Sequence, residues 1–142
     1  MPIVFSMHPR TQLRLQQYGC YDEICSNAQL LIIDPPCDYF TSLALPMNAR
    51  LILTDSGGIQ EEACILGVPC VTLRENTERP ETLEVGANVL AYGDNKSEEA
   101  THCQRMGRIR VAVDKTLASS VRWEHRYGDG KSSYRILNSF LS

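Results

Sequence analysis

Leu30-Leu31-Ile32-Ile33 is a run of four apolar side chains with no polar residue among them. A strand that alternates polar and apolar residues can keep one face in water. A continuous apolar run needs cover on both faces, as in a parallel sheet with helices above and below. Related runs recur along the chain. Pro2 to Met7 reads as a first short strand, Arg50-Leu51-Ile52-Leu53-Thr54 as a second buried one, Cys70-Val71-Thr72-Leu73 as the next, and Asn88-Val89-Leu90-Ala91-Tyr92 as the last.

Helix-length stretches lie between these runs. Thr11 to Tyr18 is a helix ended by Gly19, Tyr39 to Asn48 a second after the Asp34-Pro35-Pro36 stop, and Ile59 to Leu66 a third closed by Gly67-Val68-Pro69. From Asn95 to Arg126 the helical period is interrupted by polar residues and Gly107. Lys131 to Leu141 reads as a closing helix with Ile136, Leu137 and Phe140 on one side. Strands alternating with helices predict right-handed crossovers and a mostly parallel sheet, hence an α/β, Rossmann-like parallel sheet flanked by helices. No Gly-, Pro- or Ser-rich linker and no internal repeat divides the 142 residues, so residues 1–142 are expected to form a single domain large enough for its own core.

Composition removes several function classes. A net charge of −3 offers no electrostatic footprint for nucleic acid or an anionic membrane. No apolar run approaches the roughly 18 residues of a membrane span. The opening Met1-Pro2-Ile3-Val4-Phe5-Ser6-Met7-His8 lacks the basic lead and long apolar stretch of a signal peptide. The six cysteines, Cys20, Cys25, Cys37, Cys64, Cys70 and Cys103, contain no C-x-x-C pair, and the histidines lack zinc-ligand spacing. Free thiols, no metal, no cofactor and a cytoplasmic location are therefore expected.

The segment richest in chemistry is Leu53-Thr54-Asp55-Ser56-Gly57-Gly58-Ile59-Gln60-Glu61-Glu62-Ala63, where a buried strand turns into a helix. The first turn of a helix has unpaired N–H groups and about half a unit of positive charge, which suit a phosphate. Glycines there let an anion approach the backbone, and Ser56 can cap the helix and offer its hydroxyl. The carboxyl end of a parallel strand is also where open α/β sheets bind ligands. The plainer reading is an ordinary strand-to-helix turn, with Glu61 and Glu62 complementing the helix dipole.

The wording of this segment, followed by Leu73-Arg74-Glu75-Asn76-Thr77-Glu78-Arg79-Pro80-Glu81, resembles the paired signature of the UDP-N-acetylglucosamine 2-epimerase family. His8-Pro9-Arg10-Thr11 and Tyr127-Gly128-Asp129-Gly130 agree with it in order and spacing. The Thr-Glu-Arg-Pro-Glu form is similar to the non-hydrolysing branch, which interconverts UDP-N-acetylglucosamine and UDP-N-acetylmannosamine. The resemblance implies the C-terminal domain of a GT-B fold, with UDP in a cleft between two domains. By position it implies that Ser56, Gly57 and Gly58 hold the diphosphate, that Glu62 accepts the ribose hydroxyls, and that Arg79 adds charge near the phosphates or sugar. His8 matches a histidine of the family's activator site, where UDP-N-acetylglucosamine binds. Read without the family, Arg79 pairs with Glu75, Glu78 or Glu81, His8 caps a strand or turn, and Asp129 serves the turn before the last helix. Arg10 and Arg74 are left as positioning residues.

In this family the reaction runs by elimination of UDP to a glycal and re-addition on the other face. It therefore needs a general base and a site for the departing diphosphate. The resemblance implies that this chain holds the second and no catalytic carboxylate, and that its sheet lacks the first β-α unit with the His-Arg-Arg-Glu motif. A sheet so interrupted is expected to expose an edge or a gap and to favour association, as a homo-oligomer or with a separate chain carrying the first domain. The alternatives are a non-catalytic UDP-sugar-binding module, one subunit of a split enzyme, a glycosyltransferase-like donor domain, or a non-functional fragment.

Overall fold

The computed structural model describes residues 2–93, 101–120 and 122–141. Its elements run β1 (Ile3–Ser6), α1 (Pro9–Gln17), α2 (Tyr21–Cys25), β2 (Leu30–Ile33), α3 (Tyr39–Met47), β3 (Ile52–Thr54), α4 (Gly57–Leu66), β4 (Cys70–Thr72), α5 (Pro80–Glu84), β5 (Asn88–Leu90), α6 (His102–Ala118) and α7 (Ser132–Leu141). Among the described residues the strand pairings are all parallel, as the apolar runs predict. The strands form two ladders, β1–β2 and β3–β4–β5, a break that the apolar runs do not predict and that agrees with the interrupted sheet implied by the family resemblance. Apolar runs and connection lengths specify parallel strands, but not which strands share hydrogen bonds, and so the sequence pattern could not separate the ladders. The chain divides into two compact units, Met1–Ala44 and Leu45–Ser142, with the boundary inside α3.

In the first unit, Ile3 to Ser6 lie in register with Leu30 to Ile33. Pro9 opens α1, a position where a missing N–H costs nothing. Gln12 Nε2 donates to Asp34 Oδ2 at 2.7 Å and to the Tyr21 hydroxyl at 3.3 Å, tying α1 to α2 and to the end of β2. Met7 is the one buried residue among those described here. Leu31 is 61% exposed, and Ile3 and Val4 are nearly half exposed. The two-sided cover expected for the Leu30–Ile33 run is thus not supplied by the described residues.

The second unit holds the packed core. β4 lies between β3 and β5, and its three residues are all buried. Val71, Ala91 and Ala112 form the centre, with Leu51, Leu73, Tyr92 and Ile109 against them. α6 packs on β4 and β5. It starts with a capping box in which Thr101 and Gln104 satisfy each other's backbone N–H groups. It occupies the middle of the weakly helical 95–126 stretch; residues 95–100 and 121 of that expectation lie outside the described residues. α4 ends at Gly67, whose φ of 73° is left-handed, and the Val68 N–H reaches back to the Ala63 carbonyl at 3.0 Å. Trp123 donates from Nε1 to the Cys64 carbonyl at 2.9 Å, pinning the segment after α6 to the end of α4. All six cysteines are free thiols.

α7 buries none of its residues, and Tyr134, Ile136, Leu137, Phe140 and Leu141 are all exposed. Its start is organised by Asp129, which accepts from the Lys131 N–H at 3.1 Å and from both Arg135 terminal nitrogens at 2.8 and 2.9 Å. The Arg135 guanidinium, with the Lys131 N–H, holds the Asp129 carboxyl below its ordinary value.

Candidate functional site

The site is assembled on α4, which begins at Gly57 rather than at the expected Ile59. Gly57 and Gly58 are therefore the first two helical residues, and neither has a positive φ. The expectation of a tight glycine turn is corrected: what these positions contribute is bare backbone. A Cβ at Gly57 would come no nearer than 4.0 Å to the Glu78 carboxylate, and one at Gly58 no nearer than 3.9 Å to the Ser56 hydroxyl. The N–H groups of the first turn have no intrahelical acceptor. Ser56 occupies the N-cap with extended backbone, but its side chain makes no cap hydrogen bond. The expected Ser56 cap is thus not made, and the helix start is left without a side-chain cap.

The α4 start also bears on the plainer reading of Glu61 and Glu62. With Gly57 as the first helical residue, both glutamates lie in the second turn, and the first turn contains no acidic residue. Helix-dipole complementation falls off within one turn, so it does not account for them. Glu61 instead forms an ion pair with Arg79 through Oε1 and Nε, off the line of a hydrogen bond. Arg79 is therefore paired on α4, not with Glu75, Glu78 or Glu81. Glu62 is half-buried and forms no ion pair among the described residues.

Arg79 is the N-cap of α5, and Pro80 follows it as the first helical residue. Its N–H donates to Thr77 Oγ1 at 2.9 Å, its carbonyl accepts from Thr82 Oγ1 at 2.7 Å, and its NH1 reaches the Glu78 carbonyl at 3.0 Å. Arg74 lies 3.9 Å from Glu78 across four residues. The structure thus ties Arg79 to the second turn of α4 through Glu61, while the side chain nearest Gly57 is the Glu78 carboxylate. Two surface concavities, one lined by Gln16, Gly19, Tyr21 and Asp22 and one by residues from Glu124 to Arg135, include none of these residues. Ser56 and Gly58 stand exposed at an open surface.

A bare, uncapped helix start after a parallel strand has amide donors that suit an anionic group such as a phosphate. The family model for UDP-N-acetylglucosamine 2-epimerase matches residues 1–141. The chain belongs to that family. It is 50% identical over 135 residues to the UDP-N-acetylglucosamine 2-epimerase of Methanocaldococcus jannaschii, covering 95% of this chain and 34% of that protein. It is 48% identical over 136 residues to the enzyme of the same name from Methanococcus maripaludis, covering 96% and 34%. A crystal structure of the Methanocaldococcus jannaschii epimerase in complex with UDP-GlcNAc and UDP superposes with a TM-score of 0.83 at 46% identity, covering 99% of this chain and 35% of that one. The chain thus spans about a third of the length of the relatives it matches.

This epimerase-family chain uses several residues that sequence reasoning passed over. Gln60, Thr72, Thr77, Thr82 and Asn88 form a connected polar network behind Arg79. Their signal in the sequence is weak, because Gln and Thr inside short elements look like ordinary surface residues until burial is known. His8, in the first unit, is the exposed N-cap of α1, and its Nδ1 accepts the Arg10 N–H at 3.1 Å. The plainer reading has it cap a strand or turn; the element it caps is a helix. Asp129 serves the turn, between Gly128 and Gly130 at φ 77° and 74°. Tyr127 donates to Glu81 at 3.1 Å, and burial, with that carboxylate beside it, raises its phenol well above the ordinary value. Among the described residues no cluster of His, Cys, Asp and Glu could hold a metal ion, and no helix is long and apolar enough to cross a membrane.

Proposed function

We propose that this chain supplies the UDP-binding half-site of a UDP-N-acetylglucosamine 2-epimerase. In that reading Ser56 and the bare N–H groups of Gly57 and Gly58 hold the diphosphate. Glu62 accepts the ribose hydroxyls, and Arg79 balances charge that grows on the phosphates as UDP departs. The observation that carries the proposal is the open start of α4, with no side-chain cap, no acidic residue in its first turn and Arg79 paired to Glu61 in its second. Relatives named for this activity, one of them crystallised with UDP-GlcNAc and UDP, support the choice of ligand.

The reaction assigned to the assembled enzyme is interconversion of UDP-GlcNAc and UDP-ManNAc by elimination and re-addition of UDP. It needs a general base, and the reading assigns that role to none of the residues grouped here. That group lies outside the described site, on a further stretch of polypeptide, on a separate chain or on another copy. His8 keeps its Nε2 edge clear of the capping contact and stands as the activator-site candidate. The free thiols fit a cytoplasmic enzyme.

Thermal unfolding with and without UDP tests the half-site. At a hundred times its dissociation constant a ligand stabilises by about 2.7 kcal/mol, a clear rise in Tm for a chain of this size. The parent shifts, and a Ser56→Ala, Glu62→Ala variant of equal stability does not. A folded parent with no shift would overturn the UDP assignment.

A further inference from the structure

The network behind Arg79 has a direction that its chemistry dictates. A peptide N–H can only donate and a carbonyl can only accept. The Arg79 N–H therefore makes Thr77 Oγ1 an acceptor, which leaves the Thr77 proton to go to Gln60 Oε1 at 2.5 Å. The Arg79 carbonyl makes Thr82 a donor, so Thr82 Oγ1 accepts from Asn88 Nδ2 at 3.1 Å. Asn88 Nδ2 then gives its other proton to the same Gln60 Oε1 at 3.1 Å, while Asn88 Oδ1 accepts from Thr72 Oγ1 at 2.8 Å. Both sides of the Arg79 peptide backbone thus lead to one oxygen atom, Oε1 of Gln60.

Gln60 is 1% exposed and stands in the first turn and a half of α4, three residues after Gly57. Thr72, Thr82 and Asn88 are equally sequestered, at 0%, 0% and 3%. A buried polar network holds its geometry through the bonds it makes, and each of these side chains makes at least one. The Arg79 side chain is tied to the same helix by Glu61. Arg79 is therefore referenced to α4 twice, once through its backbone and once through its guanidinium. Gln60 Nε2 is buried with no partner among the described residues. What holds Gln60 in the network is thus its oxygen.

We infer that Gln60 is a positioning residue of the nucleotide site: through Thr77 and Asn88 it sets where Arg79 stands relative to the open N-terminus of α4. The inference rests on the proposed UDP half-site and adds a residue that touches no ligand. Its consequence is that α4 carries both halves of anion recognition, the bare amides at its start and, one turn on, the amide that aims the arginine.

The test is UDP affinity by calorimetry on the chain, for the parent, Gln60→Met, Arg79→Ala and the double variant. Gln60→Met weakens UDP about tenfold, and the same substitution adds nothing once Arg79 is alanine. A merely structural Gln60 would give losses that add. Should Gln60→Met fail to fold, Thr77→Val and Thr77→Ser carry the same test from a half-buried position. The valine loses the hydroxyl and weakens UDP, and the serine keeps it and restores the parent affinity. Equal affinity in the Gln60→Met or Thr77→Val chain and the parent would overturn the inference. So would an Arg79→Ala chain that binds as the parent does. A folded parent that binds no UDP removes the half-site itself, a different failure seen before any variant is compared.

Discussion

Cys70 and Cys25 share a side-chain chemistry and have opposite surroundings. Cys70 is 1% exposed in the central strand, and burial pushes its thiol from the ordinary value of 9.0 up to about 12. Cys64 is buried as well, and desolvation is the largest cause of its raised value. Cys25 and Cys103 are exposed. A thiol reagent at mildly alkaline pH is expected to modify Cys25 and Cys103 in the folded chain, and to reach Cys64 and Cys70 only after denaturant is added. The same shift sets a pH dependence. A group whose folded value lies above its unfolded one contributes stability that is complete below the unfolded value. That contribution is lost as pH rises toward the folded value. Urea midpoints of the parent should therefore fall as pH climbs above about 9, and a Cys70→Ala chain should show a shallower alkaline decline. A parent and variant with parallel alkaline profiles would refute this.

At the scale of elements, two glycines in helices predict opposite outcomes. Gly107 sits in α6, exposed, and a Cβ there would meet nothing within 4 Å. Gly107→Ala should stabilise by about 0.5–1 kcal/mol, because alanine loses less backbone freedom on folding. Gly67 also has open space around it, but its left-handed φ of 73° strains any side chain. Gly67→Ala should cost about 1–2 kcal/mol. Two Tm values of the same sign would refute the contrast. The elements show where the sequence was legible. β2 and the end of α4 stand where the apolar run and the Gly67-Val68-Pro69 stop put them. α2 and α5 were missed because each has five residues, too few for a helical period to register. The start of α4 was misplaced because glycine pairs suggest a turn, whereas here they are the first helical residues. In the site, the Ser56-Gly57-Gly58 segment and Arg79 were visible as words in the sequence. The partner of Arg79 and the network of Gln60 were not, because they depend on contacts between residues 17 to 28 positions apart.

For the whole molecule, burial divides unevenly between the two units. Val71, Ala91, Ala112 and their neighbours pack the second unit, while Met7 alone is buried among the described residues of the first. Local opening follows the apolar contacts a region would lose. Backbone amides of β4 should therefore exchange with deuterium at the rate of global unfolding, and those of β1 and β2 orders of magnitude faster. Equal protection in the two ladders would refute the division. Parallel strands and the alternation with helices could be read from the sequence alone. The break into two ladders was not legible in the apolar runs, which say that a strand is covered without saying by what; the expectation of a gap came from the family resemblance alone.

Trp123, bonded to the Cys64 carbonyl, is the only tryptophan in the chain. The protein thus carries its own optical probe bonded to the helix whose other end forms the candidate site. Its indole is half-buried, so its emission should move to the red when the second unit opens and stay unchanged when only the first does. One fluorimeter trace set beside far-ultraviolet circular dichroism would then separate the melting of α4 from the loosening of the β1–β2 ladder, with no label attached.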